Sequence, residues 1–312
     1  MSAFLDRLRR GPCLLLDGGF GTELIARGLA AGEPPDLWTL ERPGDVAAVH
    51  RAYVEAGSEA VHANTFGANR ARLARYGLAD RVAAINEAAV RLAGSSGARW
   101  VLADIGPTGE HLPPVGNGDP DSWRRFFEEQ GRAIAGSSPG VDAFHVETMT
   151  DVREALIALD ALRRVAPGIP VLVSLTFERK RRGFFTIMGD PVGSSLSRLV
   201  EAGAAAAGAN CSVTSHDMRD LAEEALASTD VLLVLQPNAG TPERGERSVS
   251  YAQDPDAFAD DLAPLASRPR VSALGGCCGT DPRFIRALRA RMSAAPSPVP
   301  SPVRSPAPEP LP

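Results

Sequence analysis

The chain repeats one pattern eight times: a short apolar run, a cluster of small or polar residues, then a longer amphipathic stretch rich in Ala, Leu and Arg. The strand-like runs are residues 13–16, 60–63, 99–103, 142–146, 170–175, 204–209, 231–235 and 270–274. Helix candidates lie between them at 44–57, 78–95, 121–136, 150–165, 194–203, 217–228, 254–267 and 282–292. Strands that alternate with helices pair in parallel, because a parallel neighbour needs a crossover. Eight such units predict an α/β fold closed into a (β/α)8 TIM barrel, a single domain over residues 1–292. An open, doubly wound sheet is the competing architecture. It would carry a Gly-rich nucleotide turn after the first strand and an acid about 20 residues on. The first turn, Asp17-Gly-Gly-Phe-Gly-Thr22, spaces its glycines G-G-x-G instead. The dinucleotide reading is therefore set aside.

Composition narrows the partners. A net charge of -5 with no basic block excludes nucleic acid as an expected ligand. No apolar run approaches the ~20 residues that cross a bilayer, so no membrane partner is expected. The first residues read as a short lead-in helix running into the first strand, with no export signal. Four cysteines are too few for a disulfide scaffold in 312 residues, which predicts reduced thiols and a cytoplasmic location. Residues 293–312, rich in Pro and Ser, are expected to be a disordered tail leaning to polyproline II.

A barrel gathers its chemistry at the C-terminal ends of its strands. Those ends are Asp17, Asn64, Asp104, Glu147, Thr176, Cys211, Gln236 with Asn238, and Cys277 with Cys278. The last pair sits in Gly275-Gly-Cys-Cys-Gly-Thr280, and Cys211 also follows an apolar run. We expect Cys211, Cys277 and Cys278 to converge on one metal that activates a thiol substrate. Thiolates select zinc, and three protein ligands leave the fourth position open. Three thiolates on Zn²⁺ leave a net charge near minus one. Such an ion splits water poorly but can still deprotonate an incoming thiol and leave its sulfur electron-rich. Alkylation of a thiol is the reaction this favours. Cys13, inside an apolar run, reads as a small buried hydrophobe. The plain alternative is a buried Cys211 and a merely structural Cys-Cys pair.

The turns Asp17-Gly-Gly-Phe-Gly-Thr-Glu-Leu24, Asn64-Thr-Phe-Gly-Ala-Asn69, Gly106-Pro-Thr-Gly109, Glu147-Thr-Met-Thr-Asp151, Ala209-Asn-Cys-Ser212, Pro237-Asn-Ala-Gly240 and Gly275-Gly-Cys-Cys-Gly-Thr280 carry a resemblance. From about residue 11 to 292 the chain resembles the homocysteine S-methyltransferase family, most of all the homocysteine-binding module of cobalamin-dependent methionine synthase. The resemblance implies a barrel in which the three cysteines bind Zn²⁺ and present homocysteine thiolate to a methyl donor. It implies that Glu147 holds the homocysteine amino group, that Asp17, Gly18 and Gly19 help to seat the amino acid, and that Asn64 lines the substrate pocket. It implies Asn238 as a resting fourth zinc ligand. His62-Ala63 stands where relatives often have Glu-Thr, and Asp104 where a small residue is common. His145 shares the ambiguity of His62, between core residue and functional one. His50, His111 and His216 read as helix or loop positions.

No folate- or cobalamin-binding segment follows the barrel, so two donors are expected. One is a corrinoid on a separate protein; the other is a small donor used directly, such as S-methylmethionine, S-adenosylmethionine or betaine. A zinc- or thiol-binding barrel without methyl transfer is the expectation of another class.

Overall fold

The computed structural model describes residues 2–244 and 249–294. Eight parallel strands form one sheet: Leu14–Leu15, Ala60–Ala63, Trp100–Ile105, Ala143–Met149, Val171–Leu175, Ala206–Thr214, Leu233–Asn238 and Val271–Leu274. Each pairs with the next in sequence from the second strand onward, and the last returns to the first through Leu14 opposite Ala273. The seam between the first two strands closes through single bonds. Glu59 N–H donates to the Leu15 carbonyl at 2.8 Å, and His62 N–H to Asp17 Oδ2 at 2.8 Å. The fold is the (β/α)8 barrel, and every predicted strand run overlaps an observed strand.

Seven helices each fill one crossover or follow the last strand where the apolar spacing placed them: Pro43–Ala56, Val82–Gly94, Pro120–Ala135, Val152–Val165, Val192–Glu201, Ser215–Ser228 and Pro282–Ala294. The stretch expected as one helix at 254–267 is split into Pro255–Leu262 and a 3-10 turn, Ala263–Ser267. Asp119, Asp151, Thr214 and Asp254 each accept a backbone N–H at a helix start, the favoured capping chemistry. The last helix includes Ser293 and Ala294, two residues beyond the expected boundary. Alanine sustains a helix well, and the first helix breaker of the tail is Pro296. The expectation of disorder otherwise falls on residues 295–312, outside the described residues.

Inside the barrel the lower half is apolar. Leu14, Leu16, Ala60, Trp100, Leu102, Leu172, Val234 and Ala273 pack there, and the lead-in helix Ala3–Arg10 seats Phe4 and Leu8 against them. Phe4 is fully buried and meets Trp100 edge-on at 5.6 Å between ring centroids. The helix is thus a plug for the bottom of the barrel. Phe4→Ala is expected to cost about 3–5 kcal/mol in denaturant unfolding. A change near zero would make the helix an unanchored extension.

Two antiparallel hairpins, Glu178–Lys180 with Gly183–Phe185 and Pro242–Arg244 with Val249–Tyr251, follow the fifth and seventh strands. The sequence patterning did not indicate them. Each strand is three residues long, too short for alternation to register.

Candidate metal centre and polar layer

The Cys-Cys turn is held residue by residue. Gly275 N–H donates to the Leu235 carbonyl at 3.1 Å, Gly276 N–H to Asp17 O at 2.9 Å and Cys277 N–H to Pro237 O at 2.8 Å. Cys278 O accepts from Ala239 N–H at 2.9 Å, and Gly279 N–H donates to Thr22 Oγ1 at 2.9 Å. A side chain at Gly276 would run into Thr280, and Gly279 has φ +80°. Those two positions need glycine, the first for close approach and the second for its left-handed backbone.

Cys211 reaches the same place by a different device. It was expected just past its strand; it lies within it, at a bulge where the register with the seventh strand shifts between Asn210 and Thr214. Cys211 and Ser212 have φ of 58° and 53°, rare values for residues with a Cβ. Bulges re-aim side chains next to sites, and this one delivers Cys211 to the turn. Its Sγ lies 3.8 Å from Cys278 Sγ, and the three sulfurs fall within 4.8 Å of one another. Cys13 stays apart, buried among apolar neighbours with its thiol pushed up to about 12 by burial.

Two residues around the sulfurs, Asn210 and Tyr251, escaped the sequence reading as individuals. Asn210 accepts Thr148 N–H at 2.7 Å and donates to Thr148 Oγ1 at 2.8 Å and to Cys277 Sγ at 3.7 Å. It ties the sixth strand to a second bulge, beside Glu147, where Thr148 has φ 59°. Tyr251, from the second hairpin, lays its ring over Gly279 beside the sulfurs, and burial followed by Cys278 pushes its phenol well up. His145, left ambiguous in the sequence, proves to be a linked member of the interior layer described below. Asn210 stood inside a quoted motif; no local pattern marks Tyr251.

Electrostatically the sulfurs share one charge. Hydrogen bonds from the Cys277 and Cys278 thiols hold Cys211 as thiolate, down to about 3, and the same contacts push Cys278 up to about 12 and Cys277 well above its ordinary value.

Beneath the sulfurs, the upper barrel interior is polar. Asp17 Oδ1 accepts from His62 Nδ1 at 2.6 Å, His62 Nε2 meets His145 Nδ1 at 2.8 Å, and His145 Nε2 meets Ser174 Oγ at 2.8 Å. His145 Nδ1 is also 3.7 Å from Glu147 Oε2. Burial raises Glu147 to about 7, against the pull of His62. Burial likewise drives Asp104 well above the carboxylate range, with Glu147 and Asp17 adding repulsion.

The residues expected to seat an amino acid are distributed unevenly. Both Asp17 oxygens accept from His62, Oδ2 from its backbone N–H and Oδ1 from its imidazole. Gly18 and Gly19 pack on the Cys-Cys turn, Gly19 N–H donating to Thr280 O at 3.1 Å. Asn64 Nδ2 donates to Pro35 O at 2.9 Å and Thr39 Oγ1 at 3.1 Å, which holds the loop over the second strand. Glu147 alone has no hydrogen bond to its carboxylate among those found in the described residues. His50 is buried in its helix against Phe20, His216 lies in the helix after Cys211, and His111 lies in the loop after the third strand.

Known proteins bear on this arrangement. Residues 14–292 match the sequence profile of the family described as Homocysteine S-methyltransferase. Methionine synthase from Mycobacterium tuberculosis is 30% identical over 295 residues, which is 89% of this chain and 24% of that protein. Methionine synthase from Mycobacterium leprae is 29% identical over 297 residues, with the same shares. The chain therefore spans about a quarter of the length of these curated relatives. The metallated form of the homocysteine methyltransferase MmuM from Escherichia coli superposes with a TM-score of 0.73 at 25% identity, covering 93% of this chain and 98% of that one.

Proposed function

This chain belongs to the homocysteine S-methyltransferase family, and from that premise we propose that it moves a methyl group onto the sulfur of homocysteine, forming methionine. Cys211, Cys277 and Cys278 hold a zinc ion, and Glu147 receives the ammonium group of the acceptor. The observation that carries the reading is the meeting of three sulfurs from two distant segments at the mouth of the barrel.

The residues fit the ion. Zn–S bonds of about 2.3 Å at a tetrahedral angle set sulfurs about 3.8 Å apart, the separation of Cys211 and Cys278. Asn238 Oδ1 is buried and without a hydrogen-bond partner, while the same side chain hydrogen-bonds Cys211. That oxygen suits the fourth position in the resting state. Three thiols sharing one charge are also a set that a dication would complete, since thiolates are the ligating form.

Bound there, zinc supplies the acidity that brings the acceptor thiol to its thiolate near neutral pH. The chain supplies the rest. Asn210 holds Cys277 through a hydrogen bond, and Tyr251 covers the turn at Gly279. Glu147, once ionised, orients the amino acid by its ammonium end. The thiol proton leaves, a sulfur–carbon bond forms, and the bond between methyl and donor breaks with its electron pair staying on the donor.

The donor is read as a methyl corrinoid carried by a separate protein, supported by the match to methionine synthases. A small sulfonium or betaine is the second reading, supported by the nearly complete coverage of the MmuM chain. Zinc-loaded protein under reducing conditions, given homocysteine and each donor in turn, should form methionine with methylcobalamin and none with S-methylmethionine, S-adenosylmethionine or betaine. Turnover with a small donor alone would transfer the assignment to the second reading.

A further inference from the structure

The interior layer holds more acid than the proposed acceptor requires. Asp17, Asp104 and Glu147 repel one another across it, and His62 is the imidazole hydrogen-bonded to one of them. Asp104 is buried opposite His145 in the strand register, and its Oδ1 meets no donor among the described residues. A buried oxygen without a partner is costly and in native proteins is explained by a ligand, ion or water.

The ligand atoms for a cation are in place. His62 Nε2, His145 Nδ1 and a Glu147 oxygen lie within 4.8 Å of one another. Each imidazole is gripped from behind, His62 by Asp17 at 2.6 Å and His145 by Ser174 at 2.8 Å. Metal-ligating histidines are held in this way, by a carboxylate or another oxygen on the far nitrogen. We propose that His62, His145 and Glu147 form a second divalent-cation site inside the barrel, distinct from the three sulfurs.

Two nitrogens each about 2.05 Å from one ion sit about 3.3 Å apart at a tetrahedral angle and about 2.9 Å apart at the right angle of a higher-coordinate ion, and His62 Nε2 lies 2.8 Å from His145 Nδ1, the second case. A single shared proton would satisfy that distance too, but it would leave the Glu147 carboxylate, 3.7 Å from His145 Nδ1, without a hydrogen bond. The ion accounts for both. Imidazole and carboxylate together favour a borderline cation such as Zn²⁺, Co²⁺ or Fe²⁺ over Mg²⁺ or Ca²⁺. Its binding must displace the proton between the imidazoles, so affinity rises with pH. Three carboxylates, two neutral imidazoles and a dication sum to minus one, which still accommodates an ammonium group. Glu147 has one oxygen for each.

The inference stands apart from the sulfur site, and cobalt separates the two. Metal-free, reduced full-length protein titrated with Co²⁺ should take up two equivalents, one with intense thiolate-to-cobalt absorption and one without. The triple variant Cys211→Ser, Cys277→Ser, Cys278→Ser should keep the second equivalent alone. His145→Leu should lose it and keep the thiolate absorption. Ser174→Ala, which leaves all ligands in place, should weaken the second equivalent by about 10–100-fold and serves if the leucine variant does not fold. Uptake of one equivalent by the wild type and none by the triple variant would overturn the proposal, leaving a hydrogen-bonded imidazole pair only. A wild type without thiolate absorption would sink the sulfur site while leaving this one to be read.

Discussion

Cys277→Ala is expected to abolish metal binding at the sulfur site and methyl transfer together. Cys278→Ala and Cys211→Ala should do the same. Each removes one of three anionic ligands from a centre whose other sulfurs come from rigid, hydrogen-bonded positions. Losing even an outer partner of a metal ligand typically costs 10–100-fold, so loss of the ligand itself should lower turnover by more than about a hundredfold. The cobalt-substituted variants should lose most of the thiolate absorption, with circular dichroism unchanged. Undiminished thiolate absorption in any one of the three would remove that residue from the ligand set. Cys13→Ala provides the contrast, since Cys13 is buried among apolar neighbours just before the first strand and outside the sulfur cluster, and should leave both signals intact.

Glu147→Ala is expected to raise the KM for homocysteine by roughly 10²–10³-fold with a smaller effect on kcat. Removing one partner of a buried charge pair costs about 3–5 kcal/mol, and every 1.4 kcal/mol is tenfold. Glu147→Gln keeps the shape and one acceptor oxygen, and should fall between. The carboxyl is raised to about 7, chiefly by burial, which sets the direction of the pH dependence. Below that value the group is protonated and neutral, and cannot pair with an ammonium. Acceptor binding by the wild type should therefore weaken about tenfold per unit as pH falls below about 7 and level off above it. The glutamine variant should lack that limb. Methyl transfer indifferent to Glu147 would remove it from the acceptor site, and a zinc-loaded protein inactive with every donor would favour the non-catalytic barrel.

The two variants probe parts of the molecule that differed in how openly the sequence displayed them. Cys277 and Cys278 lie in a glycine-rich turn whose purpose is local. Gly276 and Gly279 answer contacts and a dihedral within five residues, and such demands leave a readable mark. Glu147 was reached through resemblance to a family, and its chemistry then depended on neighbours from other strands. Asp17 illustrates the same point from the other side. As a strand-end acid it looked available to an amino acid, yet both its oxygens are taken by His62. His62, whose backbone N–H takes one and whose imidazole takes the other, stands 45 residues away in the sequence.

By itself the sequence determined the eightfold alternation, the parallel closure that follows from it and the segments that carry the sulfurs. Each of these rests on periodicity or turn chemistry, which act over a few residues. Only the tertiary structure decided that Cys211 sits at a bulge within its strand with two left-handed residues, that Asn210 and Tyr251 reach the sulfurs, and that His62 and His145 link Asp17 to Ser174 beside Glu147. Those outcomes depend on the register between strands and on which side chains a closed barrel turns toward its axis. A register is a relation between distant segments, and it leaves no pattern within either one.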